Sequence, residues 1–225
     1  MPVIALASPK GGVGKTTAAV VLAGELAEKG ADVVLIDADP NQPISTWAAL
    51  PGKPARLQVI TDQTEDTIID TIEDAARRAP FVLVDLEGTA SMMVSYAVSR
   101  ADLVLIPVQG SQLDAAQAVR AVKLIRQTEK AFGASIDHAV LFTRTNPALQ
   151  PRTLRHIEEQ FRRHGLSILG ATMVEREAFR AIFSFGGTVR SLQPGNASNL
   201  AAARDNATAL AREVAIRLST RLAAA

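Results

Sequence analysis

The 225-residue chain contains no cysteine. Disulfides, Cys-ligated zinc, iron–sulfur clusters and a thiolate nucleophile are thereby excluded, and the composition fits a reducing cytoplasm. Aromatic residues are scarce at 4%, with one tryptophan and one tyrosine, so the core has to be built from Ala, Val, Leu and Ile. The few histidines, His138, His156 and His164, do not form a metal-ligand spacing and read as surface or core residues. No stretch approaches the ~20 uninterrupted apolar residues that span a bilayer. No basic n-region precedes the first strand-like segment, so no signal peptide is expected. No Gly/Ser linker, composition break or internal repeat divides the chain, which reads as one domain over residues 1–225.

What is present is an ordinary globular balance, 48% hydrophobic and 21% charged. The net charge of +1 hides an asymmetry. Residues 1–112 carry 8 Lys and Arg against 14 Asp and Glu, whereas residues 113–225 carry 16 against 9. A basic half suits a polyanion-facing surface, although arginines also sit on solvated helix faces.

Short apolar runs at 3–7, 33–36, 57–60, 81–84, 103–107, 139–143 and 166–170 read as buried strands. They are nearly continuous rather than alternating, as parallel strands covered on both faces should be. Helical patterns fall between them at about 15–29, 64–79, 112–132 and 151–164, with Gly30 as the stop of the first, and an Ala-rich helix at about 197–222 closes the chain. The expected fold is an α/β P-loop domain with a mostly parallel, twisted sheet and helices on both faces.

The first strand runs into Lys10-Gly11-Gly12-Val13-Gly14-Lys15-Thr16-Thr17 and then an Ala/Val/Leu helix. Glycines let backbone N–H groups converge on phosphate oxygens without Cβ clashes, and the helix N-terminus adds its positive dipole end. In this strand–loop–helix context Lys15 is expected to reach the β- and γ-phosphates of ATP and the Thr16 hydroxyl to ligate Mg²⁺. The first glycine of the standard pattern is Pro9 here, and the segment fits the variant with an additional Lys10.

Two other strands end in acid. The second closes with Asp37-Ala38-Asp39-Pro40 and the fourth with Asp85. Carboxylates past the C-terminal ends of parallel strands stand in the crevice where such sheets bind ligands. Asp85, after the apolar run 81–84, has the Walker-B arrangement that holds Mg²⁺. Asp37 and Asp39 are candidates for metal contact and for orienting an attacking water.

Lys10 to Thr17, the segment 37–40, Asp85 and the segment 102–109 together resemble the ParA/MinD deviant-Walker ATPases, in particular the short ParF-like plasmid partition proteins. The resemblance covers nearly the whole chain and extends to 8–10, Trp47, 111–114, Thr143-Arg144 and 175–179. It implies an ATP-dependent sandwich homodimer in which Lys10 crosses to the partner's phosphates. Asp39 would position the lytic water and Asp37 would sit in the Mg²⁺ shell. It also implies sequence-blind binding of double-stranded DNA, a nucleoid-associated cytoplasmic location, and a ParB-like cargo-binding protein that stimulates hydrolysis. In the family the turn at 143–147 lies near the base, which makes Asn146 and Pro147 candidates for adenine contact. No helix-turn-helix is expected ahead of a P-loop that begins at residue 10. The chain departs from the pattern at Asp85-Leu86-Glu87-Gly88, where many ParA proteins have Asp-x-Pro-Pro, and at Asn41, which stands before Gln42.

Relatives that depend on cysteine or a Tyr-rich tail are excluded by composition. A MinD-like membrane-surface regulator and a ligase-type P-loop enzyme remain as alternatives. Leu210, Val214, Leu218 and Leu222 form a stripe with Arg212, Arg217 and Arg221 elsewhere, yet the stripe lacks Trp or Phe and reads as core packing. DNA would be met by one of three arginine groups: Arg152, Arg155, Arg162 and Arg163; Arg176, Arg180 and Arg190; or Arg204, Arg212, Arg217 and Arg221. No aromatics interleave with them, which disfavours stacking on single strands.

Overall fold

A computed structural model describes residues 1–88, 91–146 and 152–224, without the side chains of 112–114, 152–153 and 222–224. In chain order the elements are β1 (Val3–Leu6), α1 (Lys15–Glu28), β2 (Val33–Ala38), α2 (Pro43–Ala48), β3 (Leu57–Ile60), α3 (Ile68–Arg78), β4 (Phe81–Leu86), α4 (Met92–Ser99), β5 (Leu103–Val108), α5 (Gln112–Phe132), β6 (Asp137–Thr145), α6 (Arg152–Arg163), β7 (Met173–Val174), α7 (Glu177–Phe185) and α8 (Leu200–Ala224). The strands join in one parallel sheet of order β3-β2-β4-β1-β5-β6-β7.

Alternate residues of each central strand serve opposite faces. Ile4 and Leu6 of β1 enter the core under α1, α2, α7 and α8. Val3 and Ala5 enter the core under α3, α4, α5 and α6. This double burial is why the strands read as unbroken apolar runs. Small Ala and Val side chains on α1 let that helix lie close over the sheet, where its residues 18–23 are almost wholly buried. Gly30, at φ +91°, ends α1 by adopting the left-handed conformation, and its N–H bonds back to the Ala27 carbonyl at 3.0 Å.

The seventh strand departs from expectation. Segment 166–170 makes only an isolated bridge, Val140 to Ile168, and regular pairing resumes at β7. The cause is a competing acceptor. Glu213 on α8 takes the N–H groups of Gly170 (2.6 Å) and Ala171, diverting this stretch from the sheet. β6 is irregular opposite β7, between Thr143 and Thr145, and the intervening Arg144 has φ +50°.

α8 buries Leu210, Val214 and Leu218, so these three leucine and valine side chains face the core; Leu222 lies outside the described side chains. Several candidate arginines are also engaged inside the fold. Arg190 forks onto Glu25 of α1 at 2.6 and 2.8 Å. Arg204 donates to the carbonyls of Val189, Arg190 and Leu192. Arg217 grips Asp137 at 2.6 and 2.7 Å, and Arg221 donates to the carbonyls of Asp102 and Ser135. Arg217 and Arg221 thus tie α8 to β6 and to the residues just before β5 and β6, Arg204 ties α8 to the segment before it, and Arg190 ties that segment to α1, which leaves these guanidinium groups poorly placed to meet a polyanion.

Candidate phosphate-binding site

The site lies where β1, the central strand, hands the chain to α1, between the C-terminal ends of β4 and β5. Gly12 and Gly14 have φ +74° and +94°, the second as the residue that caps α1. A Cβ on Gly11 or Gly12 would meet nothing within 4 Å. The loop therefore presents bare backbone to open space, the form of surface that closes around an anion. Val13 is buried and anchors the loop.

Long-range contacts fix the loop's shape. The Thr143 hydroxyl on β6 donates to the Val13 carbonyl at 2.7 Å, and the Gln109 side chain after β5 donates to the Gly12 carbonyl at 3.0 Å. The Gly88 departure has a steric reason. A Cβ there would stand 3.3 Å from the Gly11 amide nitrogen, so the segment after β4 can lie against the loop because it ends in glycine. Gln109, Thr143 and Gly88 were not among the expected site residues. Gln109 closes the 102–109 segment and Thr143 opens the Thr143-Arg144 pair that carry the family resemblance, and Gly88 ends the segment that departs from the family pattern.

Lys15 is largely buried and its Nζ approaches the Lys10 carbonyl at 3.5 Å, so the ammonium curls back over the loop. Lys10 is half-buried and its N–H meets the Ser8 hydroxyl at 3.5 Å. Thr16 and Thr17 are half-buried at the start of α1. The Thr16 hydroxyl donates to Asp85 Oδ2 at 2.6 Å. Asp85 is fully buried, and its Oδ1 has no hydrogen-bond partner among the described residues.

Asp37 lies beside Asp85 in register between β2 and β4. Its Oδ2 accepts the N–H groups of Ile44 and Ser45 at 2.9 and 3.0 Å, capping the first turn of α2. Burial raises its carboxyl above the usual range, against the pull of those N–H groups. Asp39, half-buried beyond β2, is held by Asn41, whose backbone N–H and side-chain amide both reach Oδ1 at 2.9 Å. Asn146 is exposed at the end of β6, and Pro147 lies outside the described residues.

No group of three His, Asp or Glu side chains converges among the described residues. The donor set is therefore partial: one hydroxyl and one orphaned carboxylate oxygen, with Asp37 adjacent. That set fits Mg²⁺, which keeps several waters and takes substrate phosphate oxygens as ligands in preference to an all-protein cage. A buried carboxylate oxygen without a donor is costly to the fold until a cation is brought to it.

Burial raises the Asp85 carboxyl to about 7. The Thr16 bond and the Lys15 charge pull it down, and Asp37 and Asp39 push it up. An acid whose pKa is higher folded than unfolded binds more protons in the folded state, so its contribution to stability falls as pH rises from 3.8 towards about 7 and stays lost above that. Asp85→Asn is therefore expected to stabilise the nucleotide-free protein at pH 8, by roughly 2–4 kcal/mol at most, and to flatten the pH dependence of its melting temperature. Equal melting curves for variant and wild type from pH 5 to 8 would refute this electrostatic reading.

The family model described as VirC1 protein matches residues 1–223. The chain belongs to this family of ParA-type P-loop ATPases. It is 41% identical to Protein ParA of Rhizobium radiobacter over 99% of this chain and all of that one. It is 27% identical to Maintenance of carboxysome distribution protein A of Halothiobacillus neapolitanus, over 84% of this chain and 89% of the relative. A plasmid partition protein of Borrelia burgdorferi, solved bound to AMPPNP, shares the fold with a TM-score of 0.70 and 17% identity, over 96% of this chain and 99% of that one.

Proposed function

We propose that this ParA-type ATPase hydrolyses ATP with Mg²⁺ as the two halves of a homodimer, holds double-stranded DNA without regard to sequence while ATP is bound, and so positions a cargo. The observation that carries this reading is the Thr16–Asp85 bond with its orphaned Oδ1, set beneath a glycine loop that also bears Lys10 and Lys15. A relative named Protein ParA and another named for carboxysome distribution support it. An AMPPNP-bound structural neighbour supports nucleotide as the ligand.

In this reading the backbone of Gly11 to Thr17 cradles the phosphates and Lys15 neutralises the β- and γ-oxygens. Thr16 and Asp85 would hold the metal ion, with Asp37 beside them. Mg²⁺ supplies charge neutralisation at the phosphate oxygens. Lys10 reaches the phosphates of the opposing subunit, and Asp39 orients the water that attacks the γ-phosphorus as ADP leaves. Asn146 and Pro147 border the base. A ParB-like protein on the cargo stimulates hydrolysis and release, giving a nucleoid-associated distribution in the cytoplasm.

The competing membrane-surface reading needs an apolar helix face to lie on lipid. Leu210, Val214 and Leu218 are spent on the core, and no described helix is long and apolar enough to cross a membrane.

The test is retention of DNA by purified protein with ATP, with ADP and without nucleotide, across a salt series. Retention only with ATP, indifferent to sequence and falling steeply with salt, is expected. No retention in any nucleotide state would overturn the reading.

A further inference from the structure

With Arg190, Arg204, Arg217 and Arg221 bound internally, the surplus positive charge of the second half has to surface elsewhere. It does so on α5. Arg120, Lys123, Arg126 and Lys130 are all exposed. At 100° per residue they fall within a roughly 120° arc of the helix and extend over about 15 Å. None of the four has an ion-pair or hydrogen-bond partner among the described residues. The neighbouring acid Glu129 is half-buried and spends an oxygen on the Ile136 N–H at 2.9 Å.

The later part of this face forms one wall of a groove. Lys123, Arg126 and Lys130 line it from α5, and His164 and Leu166 line it from beyond the end of α6. Arg162 and Arg163, nearby on α6, have their own acids Glu158 and Glu159 only at 3.9 and 3.6 Å, with both guanidinium groups mostly exposed. Such pairs are weak and open readily to a stronger anion. Because α5 runs back from the end of β5 to the start of β6, the groove lies towards the N-terminal ends of the strands. No residue of the phosphate loop lines it, whereas Arg120, at the other end of the cationic face, lines a separate pocket with Ser8, Pro9 and Glu87.

We propose that the α5–α6 groove is the surface that lies along the phosphate backbone of duplex DNA. The assignment rests on the DNA-binding reading above and gives it a place. The three groove cations Lys123, Arg126 and Lys130 extend over about 10 Å of helix and match about three nucleotides at 3.4 Å per nucleotide of one strand. Lysine and arginine heads without a fixed acceptor suit phosphate contacts, which position a duplex without reading its bases. No Phe, Tyr or Trp side chain lines the groove, which is poor for stacking single strands and poor for anchoring in a lipid interface.

The full chain carrying Lys123→Ala, Arg126→Ala and Lys130→Ala together tests the site. The probe is a fluorescent random-sequence duplex, with ATP and Mg²⁺, titrated across a salt series. The triple variant is expected to bind at least about tenfold more weakly, and its slope of log affinity against log salt to fall by about 2–3. Fluorescent-nucleotide affinity and the melting temperature should stay at wild-type values, because the three side chains are exposed. Arg126→Lys alone should bind DNA as the wild type does. A triple variant with wild-type affinity and salt slope overturns the groove while leaving the DNA reading intact. So does loss of binding to anionic phospholipid vesicles with DNA binding unchanged. A wild-type protein that binds no duplex in any nucleotide state removes the DNA reading and the groove together.

Discussion

Lys15→Ala is expected to lower ATP affinity by at least about a hundredfold, to the point where titration with a fluorescent nucleotide no longer saturates. The size of the effect follows from where the ammonium sits. Lys15 is buried at the start of α1, and among the described residues its only hydrogen bond is a 3.5 Å approach to the Lys10 carbonyl, with the Asp85 charge nearby. A buried cation so weakly engaged is ready to be completed by a phosphate oxygen. Charge-assisted hydrogen bonds of this type contribute roughly 1.5–3 kcal/mol each, and more where water is excluded. Lys15 would face two phosphates, and its loss also deprives Asp85 of a neighbouring positive charge. Without that charge the Asp85 carboxyl rises further and favours its protonated form, which binds Mg²⁺ poorly. Nucleotide and metal binding should therefore fail together. The chain should still fold, since alanine suits a helix N-terminus and the two cores are untouched. A folded variant with unaltered ATP affinity would show that the glycine loop is not the phosphate site.

The parts of this molecule that were legible in the sequence are those whose physics is local. The loop at 10–17 announces itself because a phosphate cradle needs glycines, a lysine and a hydroxyl at fixed spacing on consecutive residues. Asp85 is legible because it directly follows an apolar run. The parallel α/β architecture follows from unbroken strands alternating with amphipathic helices. What escaped is tertiary. Nothing near Thr143 or Gln109 marks them as holding the loop's carbonyls, since they arrive from β6 and from beyond β5. Helix α2 is six residues long and too short for a periodic signal, although Pro43 at its first position was a hint. Helix α4 has a readable cap, Ser91, whose hydroxyl accepts the Val94 N–H at 3.3 Å. The shift of the last strand to β7 could not be foreseen, because the acid that diverts 170–171 lies on α8, 42 residues or more away. The arginines show the same limit. Sequence counts charge correctly and cannot say which guanidinium groups the fold consumes: Arg190, Arg204, Arg217 and Arg221 are bonded internally, whereas Arg162 and Arg163 stay mostly exposed.

Asp39→Ala is expected to reduce ATP turnover by about 10²–10⁴-fold, the range for a positioned general base, while leaving ATP affinity within a few-fold of wild type. The two acids that follow β2 invite confusion, and their hydrogen bonds separate them. Asp37 Oδ2 holds the N–H groups of Ile44 and Ser45, so its removal uncaps α2 and disturbs the fold. Asp39 carries no such structural duty. Asn41 fixes its Oδ1 with two donors at 2.9 Å, and Oδ2 accepts no bond among the described residues. One oxygen is thus clamped and the other left for a water, which is the arrangement an orienting base requires. The inserted Asn41 gains a role here, since its side chain doubles the backbone's grip on the carboxylate. If hydrolysis is what ends the DNA-bound state, Asp39→Ala should accumulate as an ATP-loaded dimer on size exclusion and stay on DNA after free ATP is removed. Asp39→Asn, which keeps the shape and loses the charge, should show the same kinetic loss if the carboxylate acts on water. Wild-type turnover in either variant would place the water under another group's control, and weakened ATP binding at normal turnover would make Asp39 a binding residue.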